Sequence, residues 1–157
     1  KFSTETHAIN TDYSGFVRAI TSKLDKHEIG STLILGAGGV GRAVAFGLAS
    51  FSAGTCRIFD PSVDKALELV DALRKHGFDA EIVWPSELEK VSQTVKGILN
   101  CSTVGHYHSP GMPINPACIG HQKWAFDAVY TPLDTEFLKT CRQANLRIVS
   151  GFELFFY

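Results

Sequence analysis

Three features of the sequence predict an α/β protein built on a doubly wound parallel sheet. Short apolar runs alternate with amphipathic stretches along most of its length. One of those runs, Thr32-Leu33-Ile34-Leu35, passes directly into Gly36-Ala37-Gly38-Gly39-Val40-Gly41, which reads Gly-x-Gly-x-x-Gly, and a small-residue helical pattern follows at once. An acid, Asp60, closes the next apolar run.

Taken in order, residues 1–10 read as an extended or loop approach. Phe16, Ile20 and Leu24 recur at helical spacing, which predicts an amphipathic helix from Tyr13 to about His27, with Asp12 able to cap it and Gly30 ending it. Strands are expected near Thr32–Leu35, Arg57–Phe59, Ala80–Val83, Gly97–Asn100, Ala125–Val129 and Arg147–Val149. Helices are expected at Gly39–Phe51, Val63–His76, Ser86–Thr94 and Thr135–Ala144. Several strands are short and uniformly apolar, as befits strands covered on both faces. Right-handed crossovers then arrange them as a Rossmann-type sheet in three αβα layers. The longest irregular stretch, Ser102 to Lys123, is rich in Gly, Pro and His, and a loop of that length in a compact domain commonly carries function.

A chain of 157 residues with 45% hydrophobic content and a net charge of −1 describes one globular domain with a sizeable core. No basic patch marks a nucleic-acid partner, no run reaches the length of a membrane span, and no signal-peptide layout is present, so a cytoplasmic setting is expected. Cys56, Cys101, Cys118 and Cys141 lie far apart without C-x-x-C spacing and read as small core residues, not as a disulfide framework or zinc site. The chain opens in mid-pattern at Lys1-Phe2-Ser3-Thr4 and closes inside the apolar run Phe155-Phe156-Tyr157, so a longer parent protein is expected.

Each glycine of the loop has a physical task. Gly36 permits a tight turn out of the strand, Gly38 lacks the Cβ that would block a pyrophosphate, and Gly41 lets the new helix pack close to the sheet. The helix N-terminus offers free N–H groups to phosphate, which makes Gly36, Ala37, Gly38, Gly39, Val40 and Gly41 the expected cofactor loop. Asp60 can accept hydrogen bonds from the adenosine ribose hydroxyls and repels a 2′-phosphate. The first cation beyond it is Lys65, so NAD is favoured over NADP. Asp60 could equally cap the next helix, as could Ser62.

Further motifs resemble the cofactor domain of the shikimate/quinate dehydrogenase family, from about Ala8 to the last residue. Asn10-Thr11-Asp12-Tyr13-Ser14-Gly15 resembles its Asn-Thr-Asp-x-x-Gly segment, and Gly36 to Ala43 resembles its glycine loop. Asn100-Cys101-Ser102-Thr103-Val104-Gly105 resembles Asn-x-[Ser/Thr]-x-x-Gly. Asp127-Ala128-Val129-Tyr130-Thr131-Pro132-Leu133-Asp134-Thr135 resembles Asp-x-x-Tyr-x-Pro-x-x-Thr, and Ser150-Gly151-Phe152-Glu153-Leu154 resembles the Gly-x-x-Met-Leu turn with Glu153 in place of Met. The resemblance implies that Asp12 is a catalytic carboxylate that binds the reacting hydroxyl and assists proton transfer, with Asn10 beside it and Tyr130 contacting substrate. It places Ser102 and Thr103 on the nicotinamide side of the cleft and Gly151 against the nicotinamide carboxamide, and counts Asn100 among the cofactor-binding residues. The family's catalytic lysine stands far upstream in a substrate domain, and Lys1 is too close to Asp12 to be it.

The expected organisation is therefore an approach and linking helix over 1–29, a dinucleotide-binding domain over 30–157, and a substrate domain outside this chain. The implied activity is reversible hydride transfer between NAD, or alternatively NADP, and the ring hydroxyl of shikimate or quinate, with this chain inactive by itself. Rival readings are a related aminoshikimate or methylene-tetrahydropterin dehydrogenase, and a stand-alone NAD-binding regulatory module. His106-Tyr107-His108 reads as solvent-exposed loop histidines in preference to metal ligands, since no third ligand is in view. From the residues alone Asp12 also reads as a helix cap, Tyr130 as the close of a strand and Thr135 as a cap. The apolar residues Phe152 and Leu154 to Tyr157 form a face that packs on another domain or, in a homo-oligomer, on a second chain.

Overall fold

The computed structural model describes residues 10–153. The extended approach expected before Asn10 and the apolar face expected over Leu154–Tyr157 lie outside the described residues. In chain order the elements are α1 (Thr11–Lys23), α2 (Lys26–Ile29), β1 (Thr32–Leu35), α3 (Gly39–Ser50), β2 (Cys56–Phe59), α4 (Val63–Lys75) and β3 (Ala80–Ile82). A 3₁₀ turn at Pro85–Glu87 leads into α5 (Leu88–Ser92), followed by β4 (Gly97–Asn100), a second 3₁₀ turn at Pro116–Cys118, β5 (Trp124–Asp127), α6 (Glu136–Gln143) and β6 (Arg147–Ser150). All neighbouring strands pair in parallel, in the order β3-β2-β1-β4-β5-β6. The switch in direction falls between β1 and β4, the place where a doubly wound sheet opens a crevice at its carboxyl edge.

Alternation along β1 divides the core. Ile34 faces one layer with Phe16, Val44, Leu48, Leu69 and Phe126, and Leu33 and Leu35 face the other with Ile98, Ala125, Phe137 and Leu138. The three layers expected from the sequence are therefore present. Close packing fixes α1 on this frame. The Phe16 ring meets Phe126 edge to face at 5.0 Å, and a Cβ on Gly47 of α3 would stand 2.8 Å from Phe16. The indole N–H of Trp124 donates to the Ile29 carbonyl at 3.0 Å, anchoring the segment between α1 and the sheet.

Three expected elements differ in detail. The first helix begins at Thr11, and its cap is Asn10, not Asp12. Asn10 is extended (φ −81°, ψ 105°) and its side chain accepts the Tyr13 N–H at 3.1 Å, whereas Asp12 already lies in the first turn. That helix also stops at Lys23, because Leu24 is extended and Asp25 starts α2 with Glu28 reaching back to the Asp25 N–H at 2.9 Å. The helix expected over Ser86–Thr94 divides into a 3₁₀ turn opened by Pro85 and the short α5. β5 ends at Asp127, two residues early, because the Asp127 carboxylate accepts the N–H of Val129 and turns the chain.

Candidate functional site

The turn from β1 into α3 shows why its glycines stand where they do. Gly36 has φ +107°, and a Cβ there would crowd the backbone of Cys101 and Ser102 at 2.8–2.9 Å. A Cβ on Gly41 would run into the Gly36 carbonyl. Both residues are glycine because the fold needs them to be. Gly38 and Gly39 differ: a Cβ on either would meet no protein atom within 4 Å, and Gly38 has ordinary extended angles (φ −72°, ψ −165°). Nothing inside the protein requires glycine at these two positions, and both border open space at the N-terminus of α3.

Asp60 sits just past β2 and joins two elements. Its Oδ2 accepts the Ala37 N–H at 2.8 Å, and its Oδ1 accepts the Ser62 N–H at 2.8 Å. The carboxylate thus both ties down the glycine turn and opens α4, whose N-cap Ser62 makes no side-chain capping bond of its own. Each oxygen retains a second acceptor direction.

Beyond β4 and β5 lies a buried polar network. Asn100 and Asp127 are fully buried neighbours on adjacent strands, and the Asn100 amide donates to Asp127 Oδ1 at 2.9 Å and to the Val104 carbonyl at 2.8 Å. The Asn100 carbonyl accepts from the Ser102 N–H and from the Ser102 hydroxyl at 2.7 Å, and Ser102 Oγ in turn accepts the Val104 N–H. Asp127 also accepts from the Thr135 hydroxyl at 2.5 Å, and Thr135 caps α6 by accepting the Leu138 N–H. Burial pushes the Asp127 carboxyl up to about 6, while the bonds from Thr135, Val129 and Asn100 favour its charged form. Both loops leaving β4 and β5 are therefore rooted in one hydrogen-bonded cluster. The motif residues Asn100 and Asp127 shape those loops from inside.

These loops and the first turn of α3 enclose a cavity of about 510 Å³, walled by Val40, Ser102, Thr103, Val129, Tyr130 and His106, among others. Its size suits a small-molecule site. Gly151 lies beneath this wall: a Cβ on it would collide with the carbonyls of Asp127 and Ala128 at 2.5–2.7 Å. Of the residues expected from the sequence, Val40, Ser102, Thr103 and Tyr130 come together here, and Ala37 and Asp60 join on the β2 side of the turn. Asn10, the cap of α1, and Asp12, in its first turn, are not among the cavity's lining residues. His106, half-buried, and His108, exposed as expected, both line the cavity. Their loop has no periodicity from which a sequence reading can tell inward from outward.

Two further observations limit the chemistry. Cys56, Cys101, Cys118 and Cys141 are buried free thiols. Desolvation raises Cys56 to about 11 and Cys141 to about 12 and holds Cys101 higher still, so none of these three is a ready nucleophile. Among the described residues no helix is long and apolar enough to cross a membrane.

Strand order, glycine turn and crevice define the class: a Rossmann-type α/β domain with the layout of a dinucleotide-binding protein. No family model matches the chain, but its curated homologues are shikimate and quinate dehydrogenases. It is 32% identical over 152 residues to a shikimate dehydrogenase (NADP(+)) of Moorella thermoacetica, covering 94% of this chain and 52% of that protein. It is 30% identical over 149 residues to a quinate/shikimate dehydrogenase (NAD(+)) of Corynebacterium efficiens, covering 90% and 51%. Among solved structures, quinate dehydrogenase from Corynebacterium glutamicum in complex with NAD superposes with a TM-score of 0.86 at 30% identity, over 93% of this chain and 52% of that one. Shikimate 5-dehydrogenase from Thermus thermophilus in complex with NADP(H) and shikimate gives 0.76 at 30%, with the same coverage. The chain spans about half the length of the curated relatives it matches.

Proposed function

We propose that this chain is the cofactor-binding part of an NAD-dependent shikimate/quinate-type dehydrogenase, with residues 1–29 linking it to a substrate domain. One observation carries the cofactor reading: Gly36 and Gly41 are demanded by internal packing, while Gly38 and Gly39 face open space that a side chain would fill. A pyrophosphate laid across the N-terminus of α3 accounts for both kinds of glycine. When bound, the nicotinamide supplies the hydride-transfer chemistry.

The protein's own residues divide the remaining tasks. Gly38, Gly39 and Val40 bring backbone N–H groups to the phosphates. Asp60 turns its carboxylate toward the adenosine ribose while holding Ala37, and its charge disfavours a 2′-phosphate. Ser102 and Thr103 bound the nicotinamide side, on a loop whose shape Asn100 and Asp127 maintain. Gly151 keeps the backbone close beneath that side. Tyr130, half exposed at the rim, contacts substrate. Asp12, in the first turn of α1, binds the reacting hydroxyl of the substrate and assists its proton transfer, at a place where the helix dipole favours a carboxylate.

The relatives include proteins named for NAD and for NADP, and the choice of NAD rests on Asp60. Calorimetric titration of the 157-residue chain with each cofactor tests it. Saturable NAD binding, tighter than NADP, is expected; tighter NADP binding overturns the assignment.

A further inference from the structure

Resting on the cofactor reading above, we propose that His106 donates a hydrogen bond from Nε2 to the nicotinamide half of the bound dinucleotide. His106 follows β4 in a tight reversal. The Gly105 N–H donates to the Ser109 carbonyl at 2.7 Å, the Ser109 N–H to the His106 carbonyl at 2.8 Å, and the His106 N–H to the Thr103 carbonyl at 3.2 Å. The Asn100 amide holds the adjoining Val104 carbonyl, so this reversal is rooted in the buried network of β4 and β5.

The ring itself is oriented. The His108 N–H donates to His106 Nδ1 at 3.2 Å. A nitrogen that accepts carries a lone pair, so the neutral ring bears its proton on Nε2. With Nδ1 taken up inside the loop, Nε2 is the ring nitrogen left to serve a ligand in the cavity that His106 lines. The His108 ring stacks on it at 5.2 Å and 27°, covering one face and limiting rotation.

Location and chemistry choose the ligand group. Asp60 lies on the β2 side of the glycine turn and the cavity on the β4–β5 side. A dinucleotide crossing the switch point with its adenosine at Asp60 therefore enters the cavity with its nicotinamide half. Much of the wall there is apolar, through Val40, Ala128 and Val129, and the Ser102 hydroxyl donates back to Asn100. The nicotinamide carboxamide oxygen and the ribose hydroxyls are acceptors, and His106 Nε2 is a fixed donor that suits them.

The test compares wild type, His106→Leu and His106→Gln by calorimetry with NAD and with ADP, which lacks the nicotinamide and its ribose. His106→Leu is expected to weaken NAD about tenfold and leave ADP unchanged. His106→Gln, which keeps a side-chain N–H donor, is expected to retain most of the NAD affinity. Equal NAD affinity in wild type and His106→Leu overturns the proposal, as does equal weakening of ADP. Wild type that binds ADP as tightly as NAD overturns it while leaving the phosphate site standing. Failure of wild type to bind either ligand overturns the cofactor reading, and this proposal with it.

Discussion

The N–H of Ala37 donates to Oδ2 of Asp60 across 2.8 Å, so the glycine turn after β1 and the end of β2 are held by one carboxylate. In the proposed cofactor site, the residue that selects by charge thus also holds the turn that would receive the phosphates. Substitution can separate the two functions. Asp60→Asn keeps an acceptor for one of the two backbone N–H groups and removes the charge. It is expected to narrow the preference for NAD over NADP, read by paired titrations, with little loss of stability. Asp60→Ala removes both acceptors and is expected to lower unfolding free energy by about 1–3 kcal/mol, read by denaturant melts.

Asp127 provides a pH signature. Its carboxyl titrates near 6 in the folded protein, against about 3.9 in an unfolded chain. Between those values the folded state holds a proton that the unfolded state has released. Raising the pH through this window therefore costs stability, about 3 kcal/mol in all, and the loss is complete above the folded value. The difference in unfolding free energy between wild type and Asp127→Asn, followed from pH 4 to 7, is expected to fall with rising pH. The Asn variant can keep the bonds from Asn100 and Val129, and Thr135 can turn its hydroxyl. A flat difference across that range contradicts a desolvated carboxylate at this position.

Under the proposed function, Asp12 acts in turnover only where substrate is held. The chain alone is expected to bind dinucleotide and to oxidise neither shikimate nor quinate at a measurable rate. In a parent protein carrying the expected substrate domain, Asp12→Asn is expected to lower kcat by about 10²–10⁴-fold. Cofactor affinity should remain as in the parent, because Asp12 does not line the cavity. Steady-state kinetics with a matched cofactor titration checks both halves. Unchanged kcat moves the proton transfer to another group.

The sheet was legible because its strands are short apolar runs bounded by Gly and polar residues, and Thr32–Leu35 and Gly97–Asn100 were located to the residue. The glycine turn was legible because its constraints are local: a positive φ at Gly36 and a close approach at Gly41 each demand glycine. The cap of α1 is not legible in the sequence, since Asn10 and Asp12 are both good caps and only the backbone angles decide between them. The clustering of Asn100, Asp127 and Thr135 depends on parallel register between β4 and β5 and on where α6 begins, which no local pattern encodes. The inward placement of His106 had no signal at all, because it is set by a reversal of backbone hydrogen bonds within an irregular loop.

Gly41 is glycine for the fold, and the proposed site makes Gly38 glycine for a ligand. The most direct measurement is NAD calorimetry on Gly38→Val and Gly41→Ala, each paired with a thermal melt. Gly38→Val is expected to lose NAD binding at a stability cost of no more than about 1 kcal/mol, because a Cβ there meets no protein atom within 4 Å and only the N-cap preference is lost. Gly41→Ala is expected to lose about 1–3 kcal/mol of stability through collision with the Gly36 carbonyl. Gly38→Val that binds NAD as wild type does removes the cofactor from this turn.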